Sequence, residues 1–404
     1  MRYYSLTLSD PRTGESIVPA GEHFAPRQIN FSQVGQLLRG IRAAENPFSP
    51  QFGAAFPDMV PGLIPRGVGF QRGTGPTFSS LYRDLSGRMQ TDPGALHIEF
   101  DIPVTQLAQP QGGFLIKIYG VGLGMISQAA NLSGMRFQLK AGMAPGLPLA
   151  NPAQAGVIAE GNVFQAYGNW EGVNQTLNLI VNPGPPGTTD SIFDRKVSFF
   201  WPAGTSLYDA INAALQAALP EFKTEVFIDP RIVLPNDEAG YYATPSQWAS
   251  YLLGVTQPLG AQILGFDYPG VKITATGDTI YVFDGTDTNN GLSAVTVPIN
   301  FEDLIGQPTW LLGTQISFKT VLRADIGVGN HIRFPQGIVA PYAILSPAAG
   351  AANTTPSVPL PAKSKSVFQG EFVINEVHHF GSYREPDPSA WTSAFVASPA
   401  PPGS

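Results

Sequence analysis

The 404-residue chain contains no cysteine. That excludes disulfides, a thiol nucleophile and cysteine-ligated zinc. Charge is also scarce: Asp, Glu, Lys and Arg make up 13% of the residues, against about 25% in ordinary soluble proteins. A surface so poor in charge is one that neighbouring subunits cover, or one diluted by long uncharged loops. No basic cluster occurs, the densest run being Lys363-Ser364-Lys365. A protein that grips nucleic-acid phosphates needs such clusters. With 23 basic and 30 acidic residues the net charge is −7; specific nucleic-acid binding is not expected, although a mildly acidic protein could line a channel through which DNA slides, because like charge avoids sticking. No stretch approaches the ~20 apolar residues of a membrane span. Met1 to Leu8 lacks the apolar core of a signal peptide, so a soluble, cytoplasmically made product is expected.

What is present is apolar mass and turn residues. Apolar residues reach 43%, and glycine (44) with proline (38) makes about a fifth of the chain, where about 12% is usual. The length predicts two to three domains, because single cores stop growing at about 250–300 residues. Tyr4, Leu6 and Leu8 alternate with polar residues and predict a first strand. Val34, Leu37, Leu38 and Ile41 form a helical stripe, capped by Ser32. The prolines and glycines from Pro47 to Pro76, with Phe48, Phe52, Phe56 and Phe70 among them, predict an ordered arm that packs on something.

From His97 the texture is that of strands. Ile98, Phe100, Ile102 and Val104 share one face of a period-2 run, and strands follow at 114–121, 135–140, 155–166 and 175–181. Pro183 to Gly187 is a connector. Two helices stand next. Ser206 caps the first, with Asp209 three residues on and Pro220 as its stop. Thr244-Pro245-Ser246-Gln247 opens the second, with Gly254 expected to end it. A strand from Phe222 to Ile228 lies between them, and 271–284 is a hairpin turning at Gly277-Asp278. Ile316, Phe318, Thr320 and Leu322 make another strand, followed by a turn at Gly327 and Gly329 and a strand through Ile332 and Phe334. Pro335 to Pro361 reads as a long loop. Strands at 367–380 and 390–397 close the chain.

Candidate chemistry is sparse. Gly120-Val121-Gly122-Leu123-Gly124 follows a strand, but Met125 stands where a dinucleotide fingerprint needs glycine; a glycine-rich turn is the reading. Glu376 and His378 share a strand face while His379 points the opposite way, so a hydrogen-bonded strand surface is expected in place of a metal site. Glu99 and Asp101, two apart on a strand, are spaced about 6–7 Å, within the range of glycosidase carboxylate pairs. A wall- or polysaccharide-cleaving enzyme with Glu99 or Asp101 as its acid therefore stays open, as does a carbohydrate- or receptor-binding β module. No Gly-x-Ser-x-Gly elbow occurs. No catalytic, cofactor or metal residue is assigned, and no enzyme activity is expected.

Two segments carry a resemblance. Leu304-Ile305-Gly306-Gln307-Pro308, followed by the strand Gly313–Leu322 and then Ile326–Phe334, resembles a segment of tail hub proteins of tailed phages and related injection machines. Ala324-Asp325 stands where Asn-Pro is common in that family, and Val328-Gly329 where Pro-Gly is. The ending Gly370 to Phe380, a turn, and Trp391-Thr392-Ser393-Ala394-Phe395 is similar to the family's final hairpin. The resemblance covers residues 200–397 loosely. It implies a mainly β (α+β) chain with two tube-like antiparallel β-barrel or sandwich domains and a small helical and hairpin segment. The boundaries expected are an irregular Pro/Gly-rich N-terminal arm over 1–95, read from composition and outside the resemblance, a first barrel over 96–200, a connecting α+β unit over 201–298, a second barrel over 299–398 with a long loop at 336–361, and a tail at 399–404. It also implies a homotrimeric baseplate hub in the virion that meets the tail tube protein, the central spike protein, baseplate wedge proteins and the tape-measure protein. DNA would pass only in transit, and no cofactor is implied.

Overall fold

The computed structural model describes residues 2–19, 69–83, 88–109, 113–144, 151–172, 174–187, 191–265, 268–286, 296–311, 315–334, 368 and 370–400. The chain is mainly β. Its strands are β1 (Arg2–Ser9), β2 (Ser16–Pro19), β3 (Phe70–Gly73), β4 (Phe78–Ser79), β5 (Leu81–Arg83), β6 (Met89–Thr91), β7 (His97–Val104) and β8 (Phe114–Tyr119). After the short helix α1 (Leu123–Ser127) come β9 (Arg136–Met143), β10 (Gly156–Glu171), β11 (Asn174–Asn182) and β12 (Val197–Trp201). Helix α2 (Leu207–Ala218), β13 (Lys223–Phe227), β14 (Glu238–Tyr242), helix α3 (Pro245–Ile263), β15 (Lys272–Thr276) and β16 (Thr279–Phe283) follow. The chain then forms β17 (Val297–Pro298), β18 (Thr309–Leu311), β19 (Gln315–Val321), β20 (His331–Arg333), β21 (Glu371–Ser382) and β22 (Trp391–Pro399).

One sheet organises the molecule. Its strands run β18-β19-β22-β21-β7-β8-β11-β10-β9-β1-β2-β3. Strands from 96–200 and from 299–398, expected in two separate barrels, therefore lie in one sheet, and the long strand β21 makes the join. One edge of β21 pairs with β22 over its length. Its other edge is divided: Glu371 to Val373 pair with β20, and Val377 to Ser382 pair with β7. A bulge between Ile374 and Glu376 separates the two halves, where the extra residue lets the strand bend from one block to the other.

Alternation decides which face is buried. Ile98, Phe100 and Ile102 of β7, Ile116 and Ile118 of β8, and Leu177 and Leu179 of β11 form the first core, with Tyr4, Leu6 and Leu8 of β1. A second β core gathers Ile316, Phe318, Ile332, Phe334, Phe372, Ile374 and Phe395. Between the sequences of these blocks, β12 to β16 with α2 and α3 close a third, α/β core around Trp201, Trp248, Ile211, Leu252 and Val282. Here β13 lies parallel to β16.

Several expectations change. Residues 1–95 are not all an arm: β1 pairs along its whole length with β9, and its apolar parity sits in the first core. The α/β unit reaches outside 201–298, since Ile192, Val197, Phe199 and Leu107 belong to its core. Leu107 enters because the connection after β7 dips into that unit, its N–H donating to the Ile273 carbonyl at 2.7 Å. Helix α3 does not stop at Gly254 but runs through Pro258 to Ile263. Pro258 lacks the N–H that would bond Gly254, and its ring crowds that carbonyl; a glycine with open space beside it accommodates this. Strands β19 and β20 do not pair with each other. The chain crosses the core between them, and Phe318 meets Phe334 edge-on at 4.9 Å. The stripe at Val34 to Ile41, most of the arm, the loop over 336–361 and residues 401–404 lie outside the described residues.

Candidate interaction face

The residues that the core does not take lie together on the other face of the sheet. Register aligns them in rows across strands distant in sequence. Ser382, Glu99, Lys117, Asn178 and Tyr167 stand side by side on β21, β7, β8, β11 and β10. His97, Tyr119, Thr176 and Asn169 form the next row. Phe380, Asp101, Leu115, Ile180 and Gln165 form another. On the far side, Lys319, Ala394, His378 and Pro103 continue the face into the second block. Glu99, Asp101, Glu376 and Glu160 are balanced by Lys117, Lys319, Lys140 and Arg136, so the face is polar without a dominant sign.

The charged groups on it are paired locally. Tyr119 donates to Glu99 Oε2 at 2.6 Å, and His97 Nε2 lies 3.1 Å from Glu99 Oε1. The Tyr119 phenol is raised above its ordinary value, by burial first and then by that carboxylate. The Lys117 ammonium sits 4.9 Å from the Tyr119 ring centre, a cation–π distance. Asp101 pairs with His378, Gln109 donates to Glu376, and Arg136 meets Glu160 at 3.1 Å. Glu99 and Asp101 are thus occupied by different partners, and Asp101 is 62% exposed. They stand on an open sheet face where a glycosidase needs two free carboxyls facing one bond.

His378 and His379 diverge as strand geometry requires. His379 turns inward, its Nδ1 2.8 Å from Ser393 Oγ, and burial pushes its pKa down to about 3. No group of three or more metal-ligating side chains occurs among the described residues. Gly120 has a left-handed φ of 80°, and Gly122 precedes the five-residue helix α1; this is a turn. An open groove of about 430 Å3 lies between Arg2, Asp92, Tyr383 and Arg384. Its two guanidinium groups are spent on main-chain carbonyls, Arg2 on Ser382 and Arg384 on Ala95, so they brace the β21–β22 turn.

One edge of this face is unfinished. The pairing of β10 with β9 stops at Asn162, but its pairing with β11 runs on to Glu171. Along that protruding stretch Phe164, Tyr167 and Trp170 are exposed by 52%, 41% and 63%. Sequence reading missed it because a strand edge has no residue motif; the aromatic spacing 164, 167, 170 was its one visible sign.

The fold and this face define a mainly β protein built around a broad two-faced sheet. No protein-family model matches the chain, and no curated protein does. Among solved structures it is similar to the 43 kDa tail protein of prophage MuSo2 from Shewanella oneidensis, at 8% identity and a TM-score of 0.40, covering 76% of this chain and 98% of that one. It is also similar to a tail protein from Neisseria meningitidis MC58, at 9% identity and a TM-score of 0.38, covering 79% and 96%. A Francisella PdpA-VgrG complex matches at 9% identity and a TM-score of 0.34, covering 91% of this chain and 58% of that one. The functional reading rests on the chain's own geometry.

Proposed function

We propose that the chain is a structural virion protein, a baseplate or tail hub subunit that joins the tail tube to the central spike and encloses the channel through which DNA leaves. Its work is assembly and shape, with no catalytic site, cofactor or metal. The observation that carries this reading is the continuous sheet: two cores stand behind one polar face on which the charges balance. A wall that DNA must slide past needs a wet face that offers the phosphates no basic patch, and a rigid backing. The hub-like segments Leu304–Phe334 and Gly370–Phe395 supply β18 to β22, the half of the sheet around the second core. The low charge content and the aromatic free edge of β10 support burial against further copies. The partners would be two more copies of this chain, the tail tube protein, the spike, wedge proteins and the tape-measure protein.

Gold labelling of this chain on intact virions tests the placement. Label confined to the end of the tail, at the junction of tube and spike, is expected. Label along the shaft, or none on virions, would contradict it.

A further inference from the structure

Lys272 is unusual among the cations of this chain. It lies on β15 of the α/β unit, is only 8% exposed, and its Nζ donates to Asn375 Oδ1 at 2.6 Å. Asn375 is the bulge residue of β21 and is 2% exposed. Its Nδ2 donates to Ser398 Oγ at 3.1 Å. An amine and a primary amide are thus fixed against each other in a dry site, 103 positions apart in sequence. Burial pushes the Lys272 ammonium down to about 8, against the opposing charges of Asp284 and Glu376. An amine so lowered is neutral, and nucleophilic, in about a tenth of chains at pH 7 and in half of them near pH 8. Asp284 is 1% exposed and follows Phe283, the register partner of Lys272. Burial raises its carboxyl above the usual range, and it accepts from Tyr268, Thr286 and the Asp229 N–H, so its charge acts on Lys272 only at a distance.

We propose that Lys272 and Asn375 form an intramolecular isopeptide bond that staples the α/β unit to the shared sheet. The lone pair of the neutral Nζ adds to Cγ of Asn375 and pushes the carbonyl electron pair onto Oδ1. A proton moves from Nζ to Nδ2. The Cγ–Nδ2 bond then breaks, the carbonyl re-forms, and ammonia leaves. One N–H and one C–N bond are exchanged for others, with no oxidant, reductant or cofactor. Holding the two groups in fixed contact replaces an encounter in solution, where such an amide is inert.

The position gives the bond a purpose. Besides Lys272–Asn375, the α/β unit is tied to the β blocks by hydrogen bonds, such as Thr274 to the Thr105 carbonyl at 3.0 Å and Ser250 to the Ala108 carbonyl at 3.1 Å, and by Phe283, which packs in the second β core. An amide bond would add a covalent tie to these contacts.

Intact mass measurement of the full chain, followed by peptide mapping, tests this. The wild type is expected to fall short of its sequence mass by one ammonia. Digestion should release a branched peptide carrying both Lys272 and Asn375. Lys272→Met and Asn375→Ala should each return to full sequence mass, in chains whose circular dichroism is native. A wild-type chain at full mass after long incubation at mildly alkaline pH would overturn the proposal, without need of any variant. So would an ammonia loss with the two peptides separate, which is succinimide formation.

Discussion

At the scale of single residues, two buried groups make the clearest demands. His379 is held neutral by burial, with its pKa near 3 in place of 6.5. A folded-state value below the unfolded one means that its contribution is fully present above about pH 6.5 and is lost as the pH falls toward about 3. By pH 5 the loss from this one side chain is about 2 kcal/mol. Burial lowers His331 as well, which adds in the same direction. Urea unfolding at pH 7 and pH 5 should show this drop, and His379→Asn should remove most of its own share. Arg323 is the second. Its side chain is 3% exposed, and it bonds Asp325 through Nε and one amino group at 2.7 and 2.6 Å. Its other amino group reaches Asp303 at 3.3 Å, and Asp303 in turn accepts from Gln154 of the first block at 2.9 Å. Arg323→Ala leaves two carboxylates without their cation, and should lower stability by about 3 kcal/mol, read from the urea midpoint.

At the scale of elements, β21 decides the architecture, and Gly381 is its tightest point. It pairs with Phe100 on one side and Trp391 on the other. A Cβ there would lie 2.0 Å from the Phe100 ring, which itself packs edge-on against Trp391 at 5.2 Å. Gly381→Ala should therefore cost about 1–3 kcal/mol and shift the tryptophan fluorescence. The strands themselves were legible: alternation at Ile98, Phe100 and Ile102 marks β7, and Thr244 caps α3 by accepting from Gln247 at 3.3 Å as its sequence says. Their partners were not. Strand β1 meets β9, and β7 meets β21, across more than a hundred residues, and nothing local in either strand encodes a partner so remote. The interaction face was hidden for the same reason, because Asp101 and His378 become neighbours only when those strands pair. The helix end at Gly254 failed as a signal because the buried face runs on past it, from Trp248 and Leu252 to Thr256 and Gly260.

At the scale of the molecule, the sheet has one finished face and an unfinished edge. An exposed strand edge that carries aromatic residues is a contact waiting for a partner. If copies of this chain meet there, replacing Tyr167 and Trp170 together by lysine should give monomers whose circular dichroism is unchanged. The assembly should also survive high salt, since screening acts on exposed charges and the Phe164, Tyr167 and Trp170 edge is aromatic. Light scattering on the purified chain at high concentration tests the central claim most directly. The account predicts a mass of three chains; a chain that stays monomeric there would contradict it.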